Sequence, residues 1–219
     1  MFFFELQKLS PMDTQEVIKD IFVIRDTYAN MFLIKTGDNY IAIDAGKSIK
    51  NVKKEMQKLN IPPEKVIAVF ITHSDYDHIA AVGLFKNAQV YMSKAEIQMI
   101  NGTTRRLSVH KNKFKHDFEP INDKQTIEIA DTTVKGILVP GHTLGLMCWL
   151  VNGKYLFTGD ALRLDNGKVK HTSSFLNKDT KMLKNSLKQL AQHKEIEYMF
   201  TAHFKYSDNF ESAFKEWKN

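Results

Sequence analysis

Apolar and polar positions alternate in short bursts through the first part of the chain. Val17–Ile24, Met31–Lys35 and Tyr40–Asp44 read as strands, with Gly37-Asp38-Asn39 as the turn between the last two. The period then changes. From Ser48, a residue suited to capping a helix, Val52, Met56 and Leu59 recur on one face with lysines on the others, until Pro62-Pro63 ends the run. Val66-Ile67-Ala68-Val69-Phe70-Ile71 has no polar position, and such a β-branched run predicts a strand buried on both faces. A polar loop, Thr72–His78, and a short helical segment, Ile79–Phe85, follow. Gln89–Met92 reads as another strand and Ser93 as the cap of another short helix.

The second half repeats this logic. Thr126–Ile129, Thr133–Val139, Leu146–Val151 and Tyr155–Thr158 are strand-like, with a hairpin turn at Asn152-Gly153. Leu183, Leu187 and Leu190 line one side of a long helix, Tyr198–Thr201 gives a last strand, and Phe210, Phe214 and Trp217 line a closing helix. Strands come in clusters with helices between them. That order predicts an α/β domain with sheets packed together in the middle and helices outside. No repeat, low-complexity tract or linker interrupts the 219 residues, so one domain over 1–219 is expected.

Composition narrows the class. With 43% hydrophobic and 26% charged residues the chain can bury a sizeable core and is neither disordered nor fibrous. Its single cysteine, Cys148, excludes an internal disulfide framework and a thiolate zinc cluster; mid-strand, between Met147 and Trp149, it reads as a small buried hydrophobe. The start, Met1-Phe2-Phe3-Phe4-Glu5, lacks the basic flank and length of a signal peptide. The longest apolar stretch falls far short of the roughly 20 residues of a membrane span. A soluble, cytoplasmic protein without a membrane partner is expected.

The net charge of +6 favours anionic partners without reaching the density of a nucleic-acid surface. Half of it falls between Gly102 and Glu119, where Arg105, Arg106, Lys111, Lys113 and Lys115 stand against Asp117 and Glu119. This stretch lacks periodicity and reads either as a lid over an anionic substrate or as a solvated basic insertion.

The chemistry concentrates in Thr72-His73-Ser74-Asp75-Tyr76-Asp77-His78, directly after the apolar strand. Two imidazoles and two carboxylates lie within six residues, and imidazole nitrogen and carboxylate oxygen are the usual ligands of zinc and related divalent ions. Three more sites follow strand-like runs: His142 in Pro140-Gly141-His142-Thr143, Asp160 in Thr158-Gly159-Asp160, and His203 after Phe200-Thr201-Ala202. Each has an ordinary explanation alone. Together they all sit just past strand ends, which predicts a shared rim.

In these motifs the sequence resembles the metallo-β-lactamase-fold hydrolases, with their Thr-His-x-His-x-Asp-His, Gly-His-Thr and Thr-Gly-Asp motifs and a late histidine. The resemblance runs from about Ile41 to His203 and is most like the glyoxalase II-type branch over Pro140–Leu162; Ile43-Asp44-Ala45-Gly46 is similar to the family's early aspartate-glycine motif. It implies a four-layer αββα sandwich with two metal ions at one edge. It further implies that His73, Asp75 and His142 hold the first ion and Asp77, His78 and His203 the second. Asp160 would bridge them, and Asp44 would orient a ligand imidazole.

One departure matters. Asp75 stands where the family has its second histidine, and a carboxylate there shifts preference from zinc toward iron or manganese. The resemblance implies a metallo-hydrolase that uses a metal-bound hydroxide on an ester, thioester, lactone or phosphoester, with Asp77 or Asp160 orienting the nucleophile or taking its proton. Zinc is the first candidate ion. The expected partner is an anionic small molecule rather than nucleic acid, and nothing fixes the oligomeric state. Two alternatives attach to Asp75: a di-iron redox or gas-binding protein akin to flavodiiron proteins, or a binding protein on a decayed site. His110, His116, His171 and His193 match no motif position; His110 and His116, in the basic stretch, are candidates for contact with substrate.

Overall fold

The computed structural model describes residues 9–105 and 114–218. Arg106, His110, Lys111 and Lys113 of the expected lid lie outside the described residues.

The first sheet runs in chain order through β1 (Gln15–Ile18), β2 (Ile21–Asp26), β3 (Ala29–Thr36), β4 (Asn39–Ile43), β5 (Val66–Ile71), β6 (Gln89–Ser93) and β7 (Glu119–Ile121). β1 to β4 form an antiparallel meander, and β4 to β7 are parallel. The second sheet contains β8 (Thr126–Ile129), β9 (Thr132–Leu138), β10 (Met147–Val151), β11 (Tyr155–Phe157), β14 (Tyr198–Phe200) and β15 (Tyr206–Ser207), with β11 and β14 parallel. A separate hairpin joins β12 (Leu162–Asp165) to β13 (Lys168–His171).

The strand period sorts side chains into three cores. Ile41, Ile43, Ala68 and Phe70 from the first sheet meet Met147, Trp149, Val151, Phe157 and Phe200 from the second. Aromatic rings close this inner layer, with Phe70 and Trp149 centroids 5.1 Å apart and Phe32 5.1 Å from Phe157. Positions of the opposite parity, such as Leu33, Ala42, Val69 and Ile71, pack under α1 (Ile49–Lys58), whose Val52 and Met56 are fully buried. Cys148 and Leu150 face α4 (Thr180–Leu190) through Leu183, Leu187 and Leu190. The layers are therefore helix, sheet, sheet, helix. Buried Cys148 packs as a hydrophobe, and desolvation pushes its thiol well above the ordinary cysteine range.

Several boundaries differ from the sequence reading. Val17–Ile24 is two strands, split where Asp20 takes a left-handed φ of 66° to make the β1–β2 turn. The loop expected over Thr72–His78 ends early, because α2 (Tyr76–Ile79) begins with Asp75 as its extended cap and the Ala80 N–H bonded to the Tyr76 carbonyl. A 3-10 turn, Val82–Leu84, replaces the rest of the expected helix over Ile79–Phe85. After Ser93, which accepts from the Ala95 N–H, come a 3-10 turn and the short α3 (Ile97–Ile100). The closing helix is one turn of α5 (Phe210–Ala213) followed by a 3-10 turn, Lys215–Trp217. The basic stretch is tied down at its far end, where Phe114 and Phe118 pack on the core under the first sheet and Glu119 opens β7. No helix among the described residues is long and apolar enough to cross a membrane.

Candidate metal centre

Five loops leave the C-terminal ends of β4, β5, β9, β11 and β14, and each delivers site residues. After β5 the extended segment carries His73 and Asp75, while the first turn of α2 carries Asp77 and His78. After β9, Gly141 takes a φ of 143° with its α-carbon pressed on α4; a Cβ there would lie 2.4 Å from the Leu183 backbone, so only glycine lets His142 turn in. After β11, Gly159 has a φ of 52°, and a Cβ would meet Thr72 Oγ1 at 2.6 Å. Asp160 follows directly, and His203 leaves the end of β14.

These residues gather in two groups. One ligand atom each from His73, Asp75, His142 and Asp160 lie within 4.8 Å of one another, as do those of Asp77, His78 and His203. Asp160 faces both. Its Oδ2 is 3.4 Å from His142 Nε2 and 3.9 Å from His73 Nε2, while its Oδ1 is 3.0 Å from His203 Nε2 and 3.4 Å from His78 Nε2. Asp75 Oδ2 lies 3.4 Å from His73 Nε2 and 3.3 Å from His142 Nε2, so the unusual carboxylate points into the first group. Asp77 Oδ2 is 3.5 Å from His203 Nε2 and 3.7 Å from His78 Nε2.

The four imidazoles share one arrangement, with Nε2 turned inward and Nδ1 held from behind. His78 Nδ1 is 2.8 Å from Asp44 Oδ2, and His203 Nδ1 is 2.8 Å from the Tyr28 carbonyl. His142 Nδ1 meets Asn177 Oδ1 at 3.2 Å. His73 Nδ1 meets Thr72 Oγ1 at 3.0 Å, and that hydroxyl donates onward to Asp44. With its proton given to Asp44, Thr72 can only accept from His73, so Asp44 orients two imidazoles, one directly and one through a hydroxyl. It does so from a left-handed φ of 60°, a strained position for a residue with a side chain.

This donor set fits a divalent cation. His73 Nε2, His78 Nε2 and Asp160 Oδ1 are buried without a hydrogen bond. Such atoms cost about 1–3 kcal/mol each when left unmatched, and imidazole nitrogens grouped with carboxylates are zinc, iron or manganese ligands.

Protons fill part of that role in the cation-free protein. Burial opposes charge on His203, but Asp160 and Asp77 outweigh it and push its pKa up to about 9. Burial likewise opposes charge on His78, and Asp44, Asp77 and Asp160 hold it well above the usual histidine range. Asp160 is the mirror case: desolvation resists ionisation, yet His203 and His78 hold its carboxyl well below the usual range. A raised histidine pKa stabilises the fold fully below the unfolded value of about 6.5, and that contribution is lost as pH rises through about 9. A metal ion must displace the same protons. Zinc added at neutral pH in weak buffer is therefore expected to release protons, and affinity should climb between about pH 6.5 and pH 9. Calorimetry in buffers of different ionisation enthalpy checks this; uptake without proton release would contradict it.

Three supports carry no motif signal. Glu96 is fully buried beside the first group and accepts from Ser74 N–H at 2.9 Å, Ser74 Oγ at 2.6 Å, Thr143 Oγ1 at 2.8 Å and Gly145 N–H at 3.1 Å. It thus fastens the loop of His73 and Asp75 to the loop of His142. Burial pushes its carboxyl up, and the Ser74 and Thr143 bonds draw it part of the way back. Asn177, just ahead of α4, backs His142. Asn30 on β3 donates from Nδ2 to the Thr201 and Phe204 carbonyls at 3.0 and 2.8 Å, and its backbone N–H to Ala202 at 2.6 Å, pinning the loop of His203. The first two lie 22 and 35 residues from the loops they brace. Spacing could not reveal them.

The other candidates among the described residues make their contacts elsewhere. His116 is exposed beside Phe114 and Gly83, His171 Nδ1 is 2.6 Å from the Thr172 carbonyl, and His193 is 2.7 Å from Glu195. Arg105 contributes its carbonyl to Lys178 Nζ at 2.7 Å.

Comparison with known proteins agrees with this architecture. The family model described as the metallo-beta-lactamase superfamily matches residues 24–203. The probable polyketide biosynthesis zinc-dependent hydrolase PksB of Bacillus subtilis (strain 168) is 36% identical over 125 residues, covering 56% of this chain and 49% of that protein. A hydroxyacylglutathione hydrolase of Serratia proteamaculans (strain 568) is 30% identical over 122 residues, 56% of this chain and 42% of that one. The matches thus span about half the length of these curated relatives. Among solved structures, a B3 metallo-beta-lactamase with an active site glutamic acid shares the fold at a TM-score of 0.72 and 16% identity, covering 100% of this chain and 92% of that one.

Proposed function

The chain belongs to the metallo-β-lactamase superfamily, and from that premise we propose that it is a metal-dependent hydrolase of ester, thioester, lactone or phosphoester bonds in small anionic molecules. The observation that carries the reading is Asp160, whose two oxygens face different groups of buried, inward-turned Nε2 atoms. His73, Asp75 and His142 would hold one divalent ion and Asp77, His78 and His203 another, with Asp160 shared. Zinc is the first candidate, in line with the zinc-dependent relative. Bound there, such ions supply Lewis acidity, which makes water a nucleophile at neutral pH and polarises a carbonyl or phosphoryl oxygen.

The chain's own groups do the rest. Asp44, Thr72, Asn177 and the Tyr28 carbonyl fix each imidazole as the tautomer with a proton on Nδ1, leaving the Nε2 lone pair inward. His73, His78 and His142 are at most 1% exposed and form a dry floor, which strengthens every charge interaction above it. Asp77, with 17% of its side chain exposed, accepts the proton of the attacking water at its carboxylate and passes it to solvent.

Asp75 supports a second reading, a di-iron redox or gas-binding centre, because it adds a hard carboxylate to the first group. An acidic residue in such a site is compatible with the fold, as the B3 enzyme with its active site glutamic acid indicates. Elemental analysis of the purified protein separates the readings. Two zinc or manganese per chain are expected, followed by turnover in an ester, thioester and phosphoester screen; the hydroxyacylglutathione hydrolase relative gives thioesters priority. Two irons with a visible absorption band would favour the redox centre. One ion per chain or none, after supplementation, would overturn the shared role of Asp160.

A further inference from the structure

Beside the second group stands a cation with no counter-ion among the described residues. The turn between β2 and β3 brings Tyr28 against His203, with ring centroids 5.9 Å apart and planes at 30°. Lys47, just past Asp44, reaches over the same tyrosine: its Nζ is 4.7 Å from the ring centroid and 3.4 Å from Tyr28 Oη. The base of this lysine is fixed. The N–H groups of Lys47 and Ser48 both donate to Asp26 Oδ2, at 2.5 and 2.7 Å. Gly46 before it has a φ of 81°, and a Cβ there would meet Val52 at 2.8 Å and Asp26 at 2.9 Å.

Lys47 and Tyr28 are both half-buried, so their charges and dipoles are only partly screened. Among the described residues no carboxylate makes an ion pair with Lys47, although Asp75, Asp77 and Asp160 crowd the adjoining centre. An ammonium on a fixed stretch of backbone and a phenolic hydroxyl 3.4 Å from it offer two donors to the two oxygens of a carboxylate.

We propose that Lys47 Nζ and Tyr28 Oη form a carboxylate-binding subsite, which receives a carboxylate of the substrate remote from the bond that is cleaved. The inference rests on the hydrolase reading and narrows its substrates to acids esterified at one end. Lys47 supplies the charge, and Tyr28 holds the lysine head by its ring while donating its hydroxyl. His203 beneath the ring ties the subsite to the reacting end.

The test compares para-nitrophenyl hemisuccinate with its neutral counterpart, para-nitrophenyl butyrate, on the metal-loaded full chain. The ratio of kcat/KM for the two esters is the readout. Lys47→Met is expected to lower the preference for hemisuccinate about tenfold, as loss of one charge-assisted contact does. Tyr28→Phe, which keeps the ring, should lower it less, and Lys47→Arg should restore most of it. Calorimetric titration with succinate and butyrate gives a reading without turnover: succinate should bind more tightly than butyrate to the wild type, and Lys47→Met should abolish the difference. An unchanged ratio in Lys47→Met, or equal losses for both esters, overturns the subsite. If the wild type hydrolyses neither ester, the hydrolase reading fails for these substrates, and calorimetry decides the subsite alone. Tighter succinate binding that depends on Lys47 then upholds it, and equal binding of the two acids overturns it.

Discussion

Asp160→Asn is expected to lower kcat/KM about a thousandfold, equivalent to about 4 kcal/mol of transition-state stabilisation. Among the described residues it is the one carboxylate whose two oxygens face both halves of the centre, Oδ2 toward His142 and His73 and Oδ1 toward His203 and His78. Asparagine keeps the shape but replaces one oxygen with an amide nitrogen, which cannot donate a lone pair to a cation. One half must then lose a ligand and its charge. The variant should bind fewer metal ions per chain while unfolding at nearly the wild-type denaturant concentration, because a near-isosteric change leaves the packing intact. Elemental analysis and a denaturation curve on one preparation measure both. Full metal content with wild-type turnover would show that Asp160 serves only one side.

The second large effect falls on stability. Glu96→Ala is expected to destabilise the protein by about 3–5 kcal/mol, because it strands the buried Ser74 and Gly145 N–H groups and opens a cavity. The Ser74 and Thr143 hydroxyls can rotate to new acceptors, but the backbone groups cannot. Nor can the loops simply close up, since a Cβ on Gly145 would already lie 2.2 Å from the Glu96 N atom and the backbones are in contact. Glu96→Gln, which retains one oxygen acceptor, should lose roughly half as much. Urea denaturation of the metal-free protein measures this without interference from ion binding. A change below about 1 kcal/mol in Glu96→Ala would mean that the two loops are held by other contacts.

The inner strands were legible because their side chains do one thing. Val66–Ile71 is buried on both faces and carries no competing signal, and β10 is likewise continuous from Met147 to Val151. The β12–β13 hairpin was not, although Asn166-Gly167 makes its turn. Arg163, Lys168 and Lys170 interleave with Leu162, Leu164 and Val169, so the segment reads as a charged loop until its inward positions find Leu183 and Trp217 in the same core. β7 is three residues long, one of them proline, and exists by pairing with β6.

The candidate site divides in the same way. Seven ligand-type residues could be proposed because motif and strand end coincide, and the structure brings all seven together. Their supports are another matter. Glu96 lies in a short helical segment and Asn177 ahead of a helix, where acidic and amide residues are ordinary caps. Tyr28 contributes a carbonyl, which every residue has. What makes each of them special is the residue opposite, and that is a property of the folded chain.

The grip of the N-terminal sheet on the loop of His203 also sets a schedule. Asn30 reaches carbonyls 171 and 174 positions further along, and the Tyr28 carbonyl reaches an imidazole 175 positions away. Synthesis delivers the N-terminal end first, so β1 to β4 can pair by short-range contacts while the ribosome is still at work. Through that interval the Asn30 amide has no loop to hold, and Asp160, once made, has only His78 of its two Oδ1 neighbours. The nascent chain can assemble the first group of ligands, but the second waits for the residue at 203. His203 thus acts as a latch that closes on a waiting socket, and until it does the second group is open on one side.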